Sequence, residues 1–131
     1  MTENIARYPF TIDPIKGRAH IILTGEIILQ KVQGTFLFIA LHPGWHKGDG
    51  SIIWQFKDAY FNAPLEFGEA MKKAQAVKHY TKPGKTVVVL EKGRPIQQSI
   101  SAFYKSLAQV MTERRFELFD TMEAALTWLD A

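Results

Sequence analysis

Lys85-Thr86-Val87-Val88-Val89-Leu90 is the stretch that decides the fold. It is a short, almost unbroken apolar run rich in β-branched residues, introduced by the turn formers of Lys82-Pro83-Gly84. A strand with only one face on the core alternates apolar with polar residues. A run without alternation fits a strand covered on both faces, as in sheets whose strands are joined by helices. The next apolar residues, Ile100, Phe103, Leu107 and Val110, recur at helical spacing, so the run opens a strand-then-helix unit.

The same grammar recurs outward from that unit. Downstream, Phe116 to Phe119 reads as a short strand. Asp120 stands three residues before Glu123 as an N-cap with a capping-box partner, and a helix from Met122 to Leu129 is expected to bury Ala125, Leu126 and Leu129. Upstream, Ser51 to Phe56 reads as a strand. Pro64 starts a helix after it, with Phe67, Met71, Ala74 and Val77 on one face. Before that, Glu26 to Leu41 reads as a helix ended by Pro43-Gly44. The runs Tyr8 to Ile12 and Arg18 to Thr24 form an opening hairpin around Asp13-Pro14-Ile15-Lys16-Gly17. The expected order is ββαβαβαβα, an α/β fold with a mixed sheet of mostly parallel strands packed against helices.

With 131 residues, 47% hydrophobic and 22% charged, the chain suits a single domain over residues 1–131 with a real core. It contains no cysteine, which excludes disulfides, thiol nucleophiles and Cys-based zinc sites. The net charge of +3 is scattered apart from Lys72-Lys73 and Arg114-Arg115, so no nucleic-acid partner is expected. The longest apolar run, Phe36 to Leu41, falls far short of the ~20 residues of a membrane span. The opening Met1 to Arg7 has no apolar stretch of a secretory leader, and a cytoplasmic location is the expectation.

If the helix-linked strands are parallel, their carboxyl ends share one edge, where open α/β sheets hold ligands. Glu26 and Asp120 fall at that edge. Asp58, Asn62, Glu91, Lys92 and Arg94 fall there too and are the candidate contacts for a small anionic ligand. His42, His46 and Asp49 have metal-ligand chemistry, but Pro43 and Gly44 break the helix that would preorganise them, so no metal or cofactor is expected. Gly84-Lys85-Thr86 ends like a phosphate-binding loop but precedes a strand instead of a helix. Glu66 and Glu69 do not read as an acid–base pair, and Ser99, Ser101 and Ser106 lack a nucleophile elbow. No catalytic residue is assigned, and the expectation is a protein that is not an enzyme.

The first helix exceeds what packing on one sheet requires. At ~100° per residue, Ile28, Leu29, Val32, Phe36, Ile39 and Ala40 share one face, while Ile27, Gly34, Phe38 and Leu41 gather on the opposite one. These last four are candidate interface residues. Either the segment His42 to Asp49 covers them, or a protein partner or a second copy of the chain does.

Three segments together carry a family resemblance: Leu41-His42-Pro43-Gly44-Trp45, Ile52-Ile53-Trp54-Gln55-Phe56-Lys57-Asp58-Ala59, and the ending from Phe116 to Leu129. They resemble a group of largely uncharacterised bacterial proteins with a STAS-like fold, the fold of the anti-sigma-factor antagonists. The resemblance implies a STAS-like sheet-and-helix sandwich and a non-enzymatic regulatory or protein-interaction module. In the antagonists, phosphorylation of a serine at a strand-to-helix turn switches partner binding. The matching turn here is Phe61-Asn62-Ala63-Pro64, without a hydroxyl, so the resemblance carries over the fold and no functional residue. The alternative expectation is a binder of a small anionic or apolar ligand, lipid- or nucleotide-like, at the strand carboxyl edge or under the first helix.

Overall fold

The valine run is the fourth strand of a five-stranded mixed sheet. The computed structural model describes residues 7–61, 84–111 and 114–131. The strands are β1 (Phe10–Ile12), β2 (Ala19–Glu26), β3 (Ile52–Tyr60), β4 (Lys85–Val89) and β5 (Arg115–Phe119). The described helices are α1 (Leu29–Ala40), α2 (Pro43–His46), α3 (Pro95–Met111) and α4 (Met122–Asp130). The sheet order is β1-β2-β3-β4-β5. β1 runs antiparallel to β2, as a tight hairpin must, and the pairs β2–β3, β3–β4 and β4–β5 are parallel. The helix expected after Pro64 lies outside the described residues.

The register sorts side chains onto two faces. Ile21, Trp54, Val88 and Leu118 stand level across four strands. Their face joins Ile39 and Ala40 of α1 and Trp45 of α2 in the larger core. The opposite face presents Ile53, Val87 and Val89, on which Ala125 and Leu129 of α4 pack. Val87, Val88 and Val89 are therefore buried whichever way they point, which explains why their sequence does not alternate.

Several expected boundaries shift. β2 continues through Glu26, where a helix was expected to begin, because Gly25 pairs with Ala59 and Glu26 with Tyr60. The α1 N-cap is Ile28, which has no side-chain oxygen to offer; the Tyr8 hydroxyl accepts the Ile28 N–H at 3.1 Å instead and donates to Glu26 O at 3.1 Å. Pro43-Gly44 does not merely end α1. It starts the short helix α2, with His42 Nδ1 accepting from Gly44 N at 3.0 Å. Asp120 is not the cap of α4: Thr121 Oγ1 accepts from Ala124 N at 3.1 Å, one residue later than the capping-box spacing suggested. Leu126, expected in the core, is 38% exposed, because the sheet contact of α4 runs through Ala125 and Leu129.

At the amino ends of the parallel strands, cations hold the end of α4. Lys85 Nζ donates to the carbonyls of Trp128 at 2.9 Å and Ala131 at 3.1 Å, satisfying acceptors that a helix C-terminus leaves open. Arg18, buried, donates to Asp49 and Asp130 at 3.2 and 2.7 Å. Burial by itself would lower the Arg18 guanidinium, but its hydrogen bonds to the two carboxylates raise it above its ordinary value. Arg114 donates to Thr86 Oγ1 at 2.9 Å and Gly50 O at 2.7 Å. Its burial lowers it to about 10, so it stays charged at neutral pH.

Candidate functional site

A β-bulge organises the carboxyl end of the sheet. Leu23 pairs with Phe56, but Gly25 pairs with Ala59, so β3 spends one more residue than β2 across Lys57-Asp58. Asp58 absorbs the extra length at φ 53°, the only non-glycine residue with positive φ among the described residues. Such a backbone costs roughly 1 kcal/mol or more and persists only where neighbours hold it.

The neighbour is Glu91, at the exit of β4. One carboxylate oxygen accepts the Asp58 N–H at 2.9 Å and the other accepts the Ala59 N–H at 3.3 Å. Gln97, in the first turn of α3, closes the ring. Its Nε2 donates to Glu91 Oε1 at 2.9 Å and to Ala59 O at 2.8 Å, and its Oε1 accepts from Glu91 N at 2.9 Å. The Asp58 N–H is the main cause that holds the Glu91 carboxyl below its ordinary range; Gln97, Ala59 and the charge of Arg94 add to it against a burial penalty. On the solvent side, Arg94 stands 3.6 Å from Asp58 Oδ1. That pair is exposed enough for water and salt to screen it.

Of the five candidate ligand contacts, the structure therefore brings together Asp58, Glu91 and Arg94. Lys92 is exposed on the same turn, and Asn62 lies outside the described residues. Gln97 was missed. Its signal was present: Pro95 fixes the start of α3 and puts a glutamine at the third helical position, where a capping-box side chain reaches back toward the incoming chain.

The other constellations resolve into structural contacts. His42 caps α2, and His46 Nε2 pairs with Ala40 O. Asp49 accepts from Arg18 and from Ser51 N at 2.9 Å. Among the described residues, no three His, Cys, Asp or Glu side chains gather as a metal site would require.

The four candidate interface residues do not share one open surface. Ile27 packs against the larger core and Gly34 is buried. Phe38 is half-buried beneath the Arg7 guanidinium, 4.2 Å from its ring centroid, and Leu41 is 70% exposed. The incoming segment Arg7 to Phe10 lies over this side of α1. Tyr8 is buried, its N–H donates to Thr35 Oγ1 at 2.7 Å, and Lys31 Nζ stands 4.4 Å from its ring. The segment Arg7 to Phe10 therefore meets the second apolar stripe at Phe38.

Exposed apolar side chains instead recur at the bulge end of the sheet. Ile28 follows β2, Tyr60 ends β3, and Ile96 follows β4 at the start of α3; they are 46, 49 and 63% exposed. Among the described residues no helix is long and apolar enough to cross a membrane. No family model matches the chain, and no curated protein or solved structure matches it.

Proposed function

We propose that this chain is a non-enzymatic, STAS-like regulatory module that docks another protein on the rim formed by the carboxyl ends of β2, β3 and β4. The observation that carries this reading is the composition of the rim. The polar groups that hold its bulge are bonded to one another: Glu91 to the Asp58 and Ala59 amides and Gln97 to Glu91 and Ala59, with Arg94 standing beside Asp58. Beside them three apolar side chains that end or follow successive strands, Ile28, Tyr60 and Ile96, are exposed, together with Lys92. Hydrogen bonds spent on holding a bulge rigid beside exposed apolar groups suit an interface more than a reaction centre.

The resemblance of the three sequence segments to STAS-like proteins supports the same reading. The turn that carries the antagonists' serine reads Asn62-Ala63-Pro64 here, so the proposed module is not switched by phosphorylation at that turn.

The test is affinity capture from the native host with the wild-type chain, Tyr60→Asp and Ile96→Asp, using Leu126→Asp on α4 as a control for general stickiness. A stoichiometric protein retained by the wild type and the control, and lost by both rim variants, is the expected result. Capture that is indifferent to the rim variants, or lost equally in the control, overturns the proposal.

A further inference from the structure

We infer that the β3 bulge is an oxyanion socket, that Glu91 is its built-in occupant, and that a small carboxylate or phosphate binds there when the Glu91 side chain is withdrawn. This does not depend on protein docking at the rim.

A regular strand sends successive N–H groups to opposite sides, so two adjacent amides do not meet one acceptor. The bulge changes that. With Asp58 in the left-handed region, the Asp58 and Ala59 amides converge on a single carboxylate, at 2.9 and 3.3 Å. Consecutive amides turned to one side by a left-handed residue are a recurrent anion-binding device of protein backbones. The third donor is a side chain. Gln97 is only 3% exposed, its Nε2 lies 2.9 Å from Glu91 Oε1, and its orientation is fixed by bonds to Glu91 N and Ala59 O. Arg94 adds positive charge beside the site.

The donors and their occupant differ in how they are held. Asp58 and Ala59 belong to a strand paired with β2, and Gln97 is packed at the start of a long helix. The Glu91 carboxylate sits at the end of a flexible side chain on the turn between β4 and α3. Rotating that side chain outward leaves the two amides without their carboxylate acceptor and frees one of the two hydrogens of the buried Gln97 Nε2, the other staying on Ala59 O, which favours refilling by an anion of the same shape. A carboxylate reproduces the two-oxygen contact of Glu91, and a phosphate offers three oxygens to the three donors. The same chemistry can arrive as a free anion or as an acidic side chain of a docked partner.

The test follows the Asp58 and Ala59 amide resonances and the melting temperature of Glu91→Ala during titration with acetate, with inorganic phosphate and with N-acetyl-glutamate N-methylamide. Sodium chloride at matched ionic strength is the control. The expected result is a saturable shift of both amides and a recovery of several degrees in Tm, absent with chloride and abolished by adding Gln97→Leu. Tighter binding of the blocked glutamate than of the free anions identifies a partner's side chain as the natural source; the reverse order identifies a free anion. If Glu91→Ala does not fold, Glu91→Gln serves, since its neutral amide is the poorer acceptor and the anions compete with it. Shifts that grow linearly and equally with chloride mean an adventitious ion only and overturn the inference, as does saturation that survives the loss of Gln97.

Discussion

Gly17 and Gly48 meet backbone against backbone: a Cβ on Gly17 would stand 2.7 Å from the Cα of Gly48, and one on Gly48 would stand 2.7 Å from the Cα of Gly17. The contact seats the β1–β2 hairpin turn on the segment between α2 and β3, and Gly17 also needs its φ of 69° to make that turn. Gly48→Ala must push two chain segments apart and is expected to cost about 2–3 kcal/mol, in the range of overpacked cores. Gly93→Ala has open space around the new methyl and loses only the freedom of positive φ, about 1 kcal/mol. Urea denaturation of both variants checks the order; equal midpoints would show that the hairpin is not seated on that segment.

The hydroxyl of Thr35 accepts the buried Tyr8 N–H and donates to Lys31 O at 2.7 Å. Thr35→Val preserves shape but strands a buried donor, which costs about 1–3 kcal/mol. Arg7→Ala removes an exposed cation–π contact with Phe38, worth about 0.5–1 kcal/mol. The valine variant is also expected to raise amide exchange over residues 8–10. Unchanged exchange there would remove Tyr8 as the fastening of the segment Arg7 to Phe10 to α1.

Two cations share Asp130, and their environments set their worth. Lys16 and Asp130 form a half-exposed pair at 2.9 Å, so Lys16→Ala is expected to change stability by about 0–1 kcal/mol. Arg18 is buried and also donates to Asp49, so Arg18→Met is expected to cost about 1–3 kcal/mol, discounted because both carboxylates remain half-exposed. Denaturant midpoints compare the two directly, and an equal loss for both would contradict the assignment of Arg18 as the structural cation.

Acid is expected to destabilise the fold through a specific set of carboxylates. Glu91 is lowered chiefly by the Asp58 N–H, and Glu117 by its hydrogen bond from Lys105 at 2.8 Å. Asp49 is lowered because bonds from Ser51 and Arg18 outweigh its burial. Each binds protons more weakly in the folded chain than in the unfolded one, where the ordinary values are about 3.9 for Asp and 4.3 for Glu. Stability from these groups is therefore complete above about pH 5 and declines as pH falls through the ordinary range toward the lowered folded values. Melting temperatures from pH 3 to 7 should show a shallower decline for Glu91→Gln than for the wild type; identical slopes would remove Glu91 from the set.

The elements were legible where local pattern and environment agree. Val87 to Val89 announced a strand covered on both faces, and Ile39, Ala40, Ala125 and Leu129 lie in the cores as helical spacing implied. Junctions were less legible. β2 runs on to Glu26 because β3 pairs with it there, and no local preference encodes a partner strand. Asp120 and Thr121 are both good N-cap residues side by side, and the helix phase set by packing Ala125 and Leu129 decides between them. At the candidate site, charge and position along the chain pointed to Asp58, Glu91 and Arg94. Gln97 escaped because a neutral residue near the start of an amphipathic helix looks like part of its solvated face.

The sequence by itself determined the α/β character of the chain, the order of its described strands and of its longer described helices α1, α3 and α4, and the apolar faces that meet at the sheet, because hydrophobic period and turn chemistry are local properties. Only the tertiary structure decided that the carboxylate of Glu91 turns inward onto the Asp58 and Ala59 amides, that Arg7 and Tyr8 meet the second side of α1, and that Gly17 and Gly48 touch. Each of these contacts joins residues separated by 23 or more positions, and which of several chemically equivalent partners is chosen depends on strand register and close packing.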